Sequence, residues 1–167
     1  MKQKDHNIEF QFRDSDPVRE THPTKEQVLN IVEILVDHPR IILFDSVCNL
    51  CSAWVRFVYR RDTQQKFKFA SVQSHTGKSL LVWGGLPTDY YDTMVYIEHG
   101  SIYTRSTAFL KIVQHFPFPW PGLYAGALIP RILRDWLYNR IALNRYRLFG
   151  KTAVCFTPSD DLSKRFL

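Results

Sequence analysis

The sequence predicts an α/β fold of element order β-α-β-α-β-β-α, with a helix added in front and a helical extension behind. Three observations carry that expectation. Four consecutive apolar residues, Ile41 to Phe44, fit a strand buried on both faces. The helical pattern after them and the alternating run Phe67 to Val72 complete a β-α-β unit, whose strands are then parallel with a right-handed crossover. The β-rich runs 93–97 and 101–104 flank Glu98-His-Gly100, which is a hairpin signal.

The first 22 residues are polar and aperiodic and read as a loose arm, with a turn at Asp14-Ser-Asp-Pro17. Thr24-Lys-Glu-Gln27 has the form of a capping box. Val28, Ile31, Val32 and Leu35 follow at helical spacing until His38-Pro39 stops the pattern. After the strand, the helix carrying Cys48 and Cys51 places Cys51, Trp54, Val55 and Val58 on one face and ends in Arg60-Arg61, where positive charge suits a helix C-terminus. A short helix over about Thr76 to Trp83 is closed by Gly84-Gly85. Beyond the hairpin, a helix capped by Ser106 or Thr107 buries Phe109, Ile112, Val113 and Phe116. Phe116-Pro-Phe-Pro-Trp-Pro-Gly122 is a stiff break. The rest reads as helical from about Leu123 to Phe149, kinked or split at Pro130 and closed by Gly150. The expected organisation is residues 1–39 as arm and helix, 40–116 as the core, and 117–167 as a helical extension packed on the same domain.

At 167 residues, 45% hydrophobic and 23% charged, the chain suits one domain with its own core. Three cysteines are too few for a disulfide-stapled scaffold, and Cys155 is left over if Cys48 pairs with Cys51. The polar N-terminus lacks a signal-peptide core, so the expected place is the cytoplasm, where a cycling disulfide is more at home than a lasting one. The longest uncharged run, Ile112 to Pro130, is broken by prolines, so no transmembrane span is expected. Residues 100–167 carry 10 Lys/Arg against 3 Asp/Glu, so the net charge of +6 belongs to the C-terminal part. Arg140-Ile-Ala-Leu-Asn-Arg-Tyr-Arg-Leu-Phe149 could address nucleic acid or an anionic membrane. No binding motif accompanies it, so a solvated basic face is favoured and no nucleic-acid partner is expected.

The chemistry lies at the first strand-helix junction. A Cys-x-x-Cys opening a helix in a β-α-β unit is the pattern of a thioredoxin-like redox site, because the helix N-terminus offers unpaired N–H groups and partial positive charge to the first thiol. Cys48 is then the exposed nucleophile, and Cys51, one turn deeper on the apolar face, is the resolving thiol. The alternative is half of a zinc site, which lacks a second ligand pair: Cys155 is isolated, and His75, His99 and His115 make no ligand spacing. No metal is therefore expected. Asp45, three residues before Cys48, either relays the proton of Cys51 or caps the following turn; near Cys48 its charge would oppose thiolate formation. Arg105, Ser106 and Thr107 could bring charge and donors beside the sulfurs, although a plain helix cap is the commoner role. Cys155 reads as a buried small hydrophobe.

These residues resemble the DCC family of thiol-disulfide oxidoreductases, named for an Asp, Cys, Cys signature, here Asp45, Cys48 and Cys51 in Phe44-Asp-Ser-Val-Cys-Asn-Leu-Cys51. The likeness continues through Val55-Arg-Phe57, Phe67-Lys-Phe-Ala-Ser-Val-Gln-Ser74, the Arg105-Ser106 step, Asn144-Arg-Tyr-Arg-Leu-Phe-Gly150 and Cys155, and covers about residues 40–167. The resemblance implies a thioredoxin-like fold closest to glutaredoxin. It also implies exchange with a protein or small-molecule thiol, without metal or organic cofactor and with glutathione as a possible co-substrate. Two departures stand out: Ser46 replaces the usual glycine, and Thr93 occupies the place of the cis-proline that docks substrates in thioredoxins.

Overall fold

The structure, a computed structural model, describes residues 25–88, 93–151 and 160–167. Helix α1 (Lys25–Asp37) stops before Pro39; its capping box at Thr24 falls outside the described residues. There follow β1 (Arg40–Phe44), α2 (Asn49–Arg61), β2 (Lys68–Ser71), α3 (His75–Trp83), β3 (Val95–Glu98), β4 (Ser101–Thr104) and α4 (Arg105–Val113). A 3-10 segment (Trp120–Leu128), α5 (Arg131–Phe149) and α6 (Asp160–Ser163) complete the order.

The sheet runs β2-β1-β3-β4, with β1 and β2 parallel and the other pairs antiparallel, which is a thioredoxin-like fold. Alternation along the strands explains its two covered faces. Ile42, Phe44, Phe69 and Tyr96 pack with Val55 and Val58 of α2 and Ala108, Ile112 and Val113 of α4. Ile41, Leu43, Ala70, Val95 and Ile97 pack on the opposite side with Ile31 of α1 and Leu80 and Leu81 of α3. At the end of β1 away from the cysteines, Glu98 gathers Arg40 (3.4 Å), Lys111 (3.5 Å) and His115 (2.8 Å).

One cap is unanticipated and another differs from expectation. Helix α3 is capped by Ser74, whose Oγ accepts the Gly77 N–H at 3.0 Å. A Cβ on Gly77 would fall 1.9 Å from Ser71 O, so only glycine lets this helix start so close to the end of β2. Helix α4 starts at Arg105, and neither Ser106 nor Thr107 caps it. Thr104 is still paired with Val95, so strand passes into helix within one residue, and Arg105 takes the strained φ of 56° that the change of direction needs. The hydroxyl of Ser106 donates instead to the Asp135 carboxylate on α5.

The extension is a 3-10 segment before Pro130 rather than α-helix from Leu123, because prolines 117, 119 and 121 remove donors from its approach. Arg61 of α2 clamps it, with the guanidinium 3.6 Å over Phe57 and 4.6 Å from the Trp120 ring. The last residues lie along β2: Phe69 N–H donates to Arg165 O (2.8 Å) and Leu167 N–H to Phe69 O (3.0 Å). Arg165 also meets the buried carboxylate of Asp62 at 2.8 Å, beside the C-terminal end of α2. Among the described residues, no helix is long and apolar enough to cross a membrane.

Candidate active site

The chain leaves β1 at Phe44 and reverses through Asp45-Ser-Val-Cys48 into α2. Asp45 builds that turn: its Oδ1 accepts the Val47 N–H (3.1 Å) and its backbone oxygen the Cys48 N–H (3.3 Å). Gln73, just past β2, fixes it from the side. Its Nε2 donates to Asp45 Oδ1 (2.8 Å), while its Oε1 accepts from Ser46 N–H (3.1 Å) and the Ser46 hydroxyl (2.9 Å).

Cys48 is the N-cap of α2, one residue before the helix, with φ −91° and ψ 120°. Its Sγ accepts the Cys51 N–H at 3.4 Å, so sulfur does what a serine or aspartate oxygen does at an ordinary helix start. Both cysteines are free thiols. The hydrogen bond from the Cys51 thiol, joined by the Cys51 N–H and the charge of Arg145, pulls the Cys48 thiol down to about 6 against the opposition of burial and Asp45. The same thiol-thiol bond, with burial and the Cys48 charge, pushes Cys51 far up. The arrangement thus favours the thiolate at Cys48 and the thiol at Cys51.

Exposure runs opposite to expectation. Cys48 is 0% exposed, whereas Cys51 is half-buried. Residues Phe149 to Lys151 fold across the helix start: Lys151 bridges Cys48 in antiparallel fashion, and Asn49 Nδ2 donates to Phe149 O at 2.9 Å. Gly150, with φ 79°, makes that bend. A cover arriving from 100 residues downstream leaves no mark in the pattern around the cysteines.

Cys51 borders a cavity of about 240 Å³ between α2, α4 and α5, walled by Leu50, Trp54, Met94, Phe109, Ile141 and Ala142. Asp45 and Arg145 close its polar end. Arg145 is 4% exposed; its Nη2 donates to Asp45 Oδ2 (3.3 Å) and to the Tyr146 hydroxyl (2.9 Å), and Nη1 to Ala142 O (3.2 Å). The Tyr146 hydroxyl itself donates to Asp45 Oδ2. Asp45 therefore receives Val47, Gln73, Arg145 and Tyr146 together, and the turn-capping arrangement is present alongside its charge. Thr93 stands just before β3 and lines the cavity; its Oγ1 (3.2 Å) and the Met94 N–H (3.0 Å) both donate to the Tyr138 hydroxyl of α5.

The structure thus gathers Asp45, Cys48, Cys51 and Thr93 but not Arg105, Ser106 and Thr107. Arg105 is exposed, Ser106 serves α5, and none of the three lines the cavity. Cys155 lies outside the described residues. Gln73, Arg145, Tyr146 and Tyr138 carry no site role in the sequence reading, and Arg145, expected on a solvated basic face, is 4% exposed because it pairs with Asp45. The first three sit inside the stretches Phe67–Ser74 and Asn144–Gly150 that mark the family likeness, which is a signal of place without a signal of role. Tyr138 gives none.

A thioredoxin-like sheet with a Cys-x-x-Cys at the N-terminus of its first core helix defines the class of protein to which this chain is assigned. A family model described as DCC1-like thiol-disulfide oxidoreductase matches residues 42–151, and the chain belongs to that family. The chain is 44% identical over 144 residues, 86% of its length and 98% of the relative's, to the uncharacterized protein YuxK of Bacillus subtilis. It is 38% identical over 120 residues, 71% of its length and 70% of the relative's, to a DCC family protein of Arabidopsis thaliana described as chloroplastic. No solved structure matches the chain.

Proposed function

We propose that the chain is a thiol-disulfide oxidoreductase that exchanges a Cys48–Cys51 disulfide with the thiols of a protein or small molecule, with the pair as its only redox centre. The observation that carries this reading is the Cys51 N–H held on Cys48 Sγ at 3.4 Å, which favours a thiolate at Cys48. In the reducing direction residues 149–151 lift from the helix start, the bared Cys48 thiolate bonds to one sulfur of a substrate disulfide, and the other sulfur leaves as thiolate. Cys51 then gives its proton to the departed substrate thiolate and attacks Cys48 Sγ, which releases the second substrate thiolate and closes the pair. Two electrons have passed to the substrate. Asp45, with both oxygens engaged, acts as a positioning residue for Arg145 and the turn. Residues 40–116 are the working core, and residues 131–151 of the extension cover its site.

The test is covalent capture. Cys51→Ser should accumulate a mixed disulfide through Cys48 when challenged with oxidised glutathione or a disulfide-bonded protein, and Cys48→Ala should lose turnover. Metal analysis of the purified protein decides the rival reading: stoichiometric zinc released only when the thiols are blocked would overturn the redox function.

A further inference from the structure

We propose that the cavity beside Cys51 is a binding site for the apolar group of a thiol substrate, and that such a thiol exchanges with the oxidised pair at Cys51 Sγ. The inference rests on the thiol-disulfide reading and adds the substrate's chemistry and its point of attack.

The walls decide the chemistry. Most of the lining is apolar or aromatic, the hydroxyls of Thr93 and Tyr138 bond each other, and the cavity exceeds the engineered hole of about 150 Å³ that takes up benzene. The cations that could attract a carboxylated thiol are engaged or elsewhere: Arg145 is held by Asp45 and Tyr146, and Arg105 stands off the cavity. A charged peptide thiol such as glutathione would shed its hydration largely against carbon, where the few polar lining groups are already engaged within the protein. An aryl or branched alkyl thiol loses no polar contacts on entry and gains apolar burial.

Access decides the sulfur. Cys51 lines the cavity, whereas Cys48 is wholly buried beneath residues 149–151. In the oxidised pair the substrate thiolate bonds to Cys51 Sγ, the Cys48–Cys51 bond breaks, and its electron pair leaves on Cys48 Sγ. The Cys51 N–H stands ready to receive that charge. A second substrate thiol then attacks the substrate sulfur of the mixed disulfide; this releases substrate disulfide and a Cys51 thiolate, which takes up a proton. Two electrons have moved from two thiols to the pair.

The experiment uses the full chain, oxidised and mixed with benzyl mercaptan or with glutathione under pseudo-first-order conditions. Acid quenching and peptide mass then locate the mixed disulfide. Benzyl mercaptan should react faster than glutathione per thiolate by about tenfold or more, the scale of discrimination an apolar pocket gives for a small group. Its adduct should sit on Cys51. Ala142→Leu, which fills the cavity, should collapse the ratio of the two rates towards one. Ile141→Trp should do the same from the rim, where Ile141 is 45% exposed and the fold is not at stake. An adduct on Cys48, or a rate ratio that neither variant moves, overturns the site. If neither thiol reduces the oxidised pair of the parent, it is the thiol-disulfide reading itself that fails.

Discussion

Replacing Asn49 by Ala tests what keeps the Cys48 thiolate from solvent. The side chain contributes one hydrogen bond to the cover, Nδ2 to Phe149 O at 2.9 Å, in exposed surroundings. Such a bond is worth about 0.5–1.5 kcal/mol net. If alkylation proceeds through brief opening of residues 149–151, that loss raises the open population, and with it the rate, by roughly 2- to 10-fold. The cap of α2 is Cys48 itself, and alanine is a good helix former, so the helix start survives. The assay is the rate of iodoacetamide addition to Cys48 in the reduced protein at pH 7.5, read by peptide mass. The pH profile adds a control. Reactivity should fall as pH drops through about 6 in parent and variant alike, because the Cys51 thiol, its N–H and Arg145 set that midpoint. An unchanged rate at Cys48 in Asn49→Ala would refute the idea that this segment gates the thiolate.

Three further outcomes follow from the buried charges. Asp45→Asn keeps an acceptor for Val47 and Gln73 but leaves Arg145 a buried cation without its carboxylate, at a cost of about 3–5 kcal/mol in urea unfolding. Because Asp45 opposes the Cys48 thiolate, the same variant should move the alkylation midpoint down. Arg165→Ala strands the Asp62 carboxylate and should likewise cost about 3–5 kcal/mol, with faster hydrogen exchange at the Phe69 amide. In the reduced protein, folding pulls the Cys48 thiol from the ordinary thiol range down to about 6. Its stabilisation is therefore complete above about pH 9, shrinks as pH falls and is gone below about 6. The stability gap between parent and Cys48→Ser, measured by urea unfolding, should widen steadily across that range; a gap constant with pH would show that the thiolate contributes nothing to folding.

Local pattern was enough for the sheet and for the position of the thiols. Ile41 to Phe44 is apolar at every position because both faces of β1 are covered, and a hairpin at Glu98-His-Gly100 needs only its turn and its flanking β-formers. The place of Cys48 at the start of α2 was legible for the same reason, since a helix N-terminus is marked within one turn. The surroundings of the pair were not. Arg145 reaches Asp45 across 100 positions and Tyr146 across 101, and residues of α5 reveal such partners only once the chain has folded. A basic residue such as Arg145 within a basic helix reads as solvated, yet it is buried because a carboxylate had to be neutralised beneath it. The cap of α4 moved to Thr104 because continuity with β4 outweighed the local preference of Ser106 and Thr107.

Helix α5 reaches every part of the site. Tyr138, Ile141 and Ala142 wall the cavity, Arg145 and Tyr146 hold Asp45, and Phe149 begins the cover over Cys48. A guest that fits the cavity better when α5 stands slightly away from α2 must also loosen the cover, and by reciprocity whatever opens the cover must change the affinity of the guest. Loading the site and baring its thiolate then become two readings of one equilibrium. A saturating apolar compound without a thiol, such as toluene, should alter the rate of Cys48 alkylation by the factor by which opening of the cover alters the compound's binding constant.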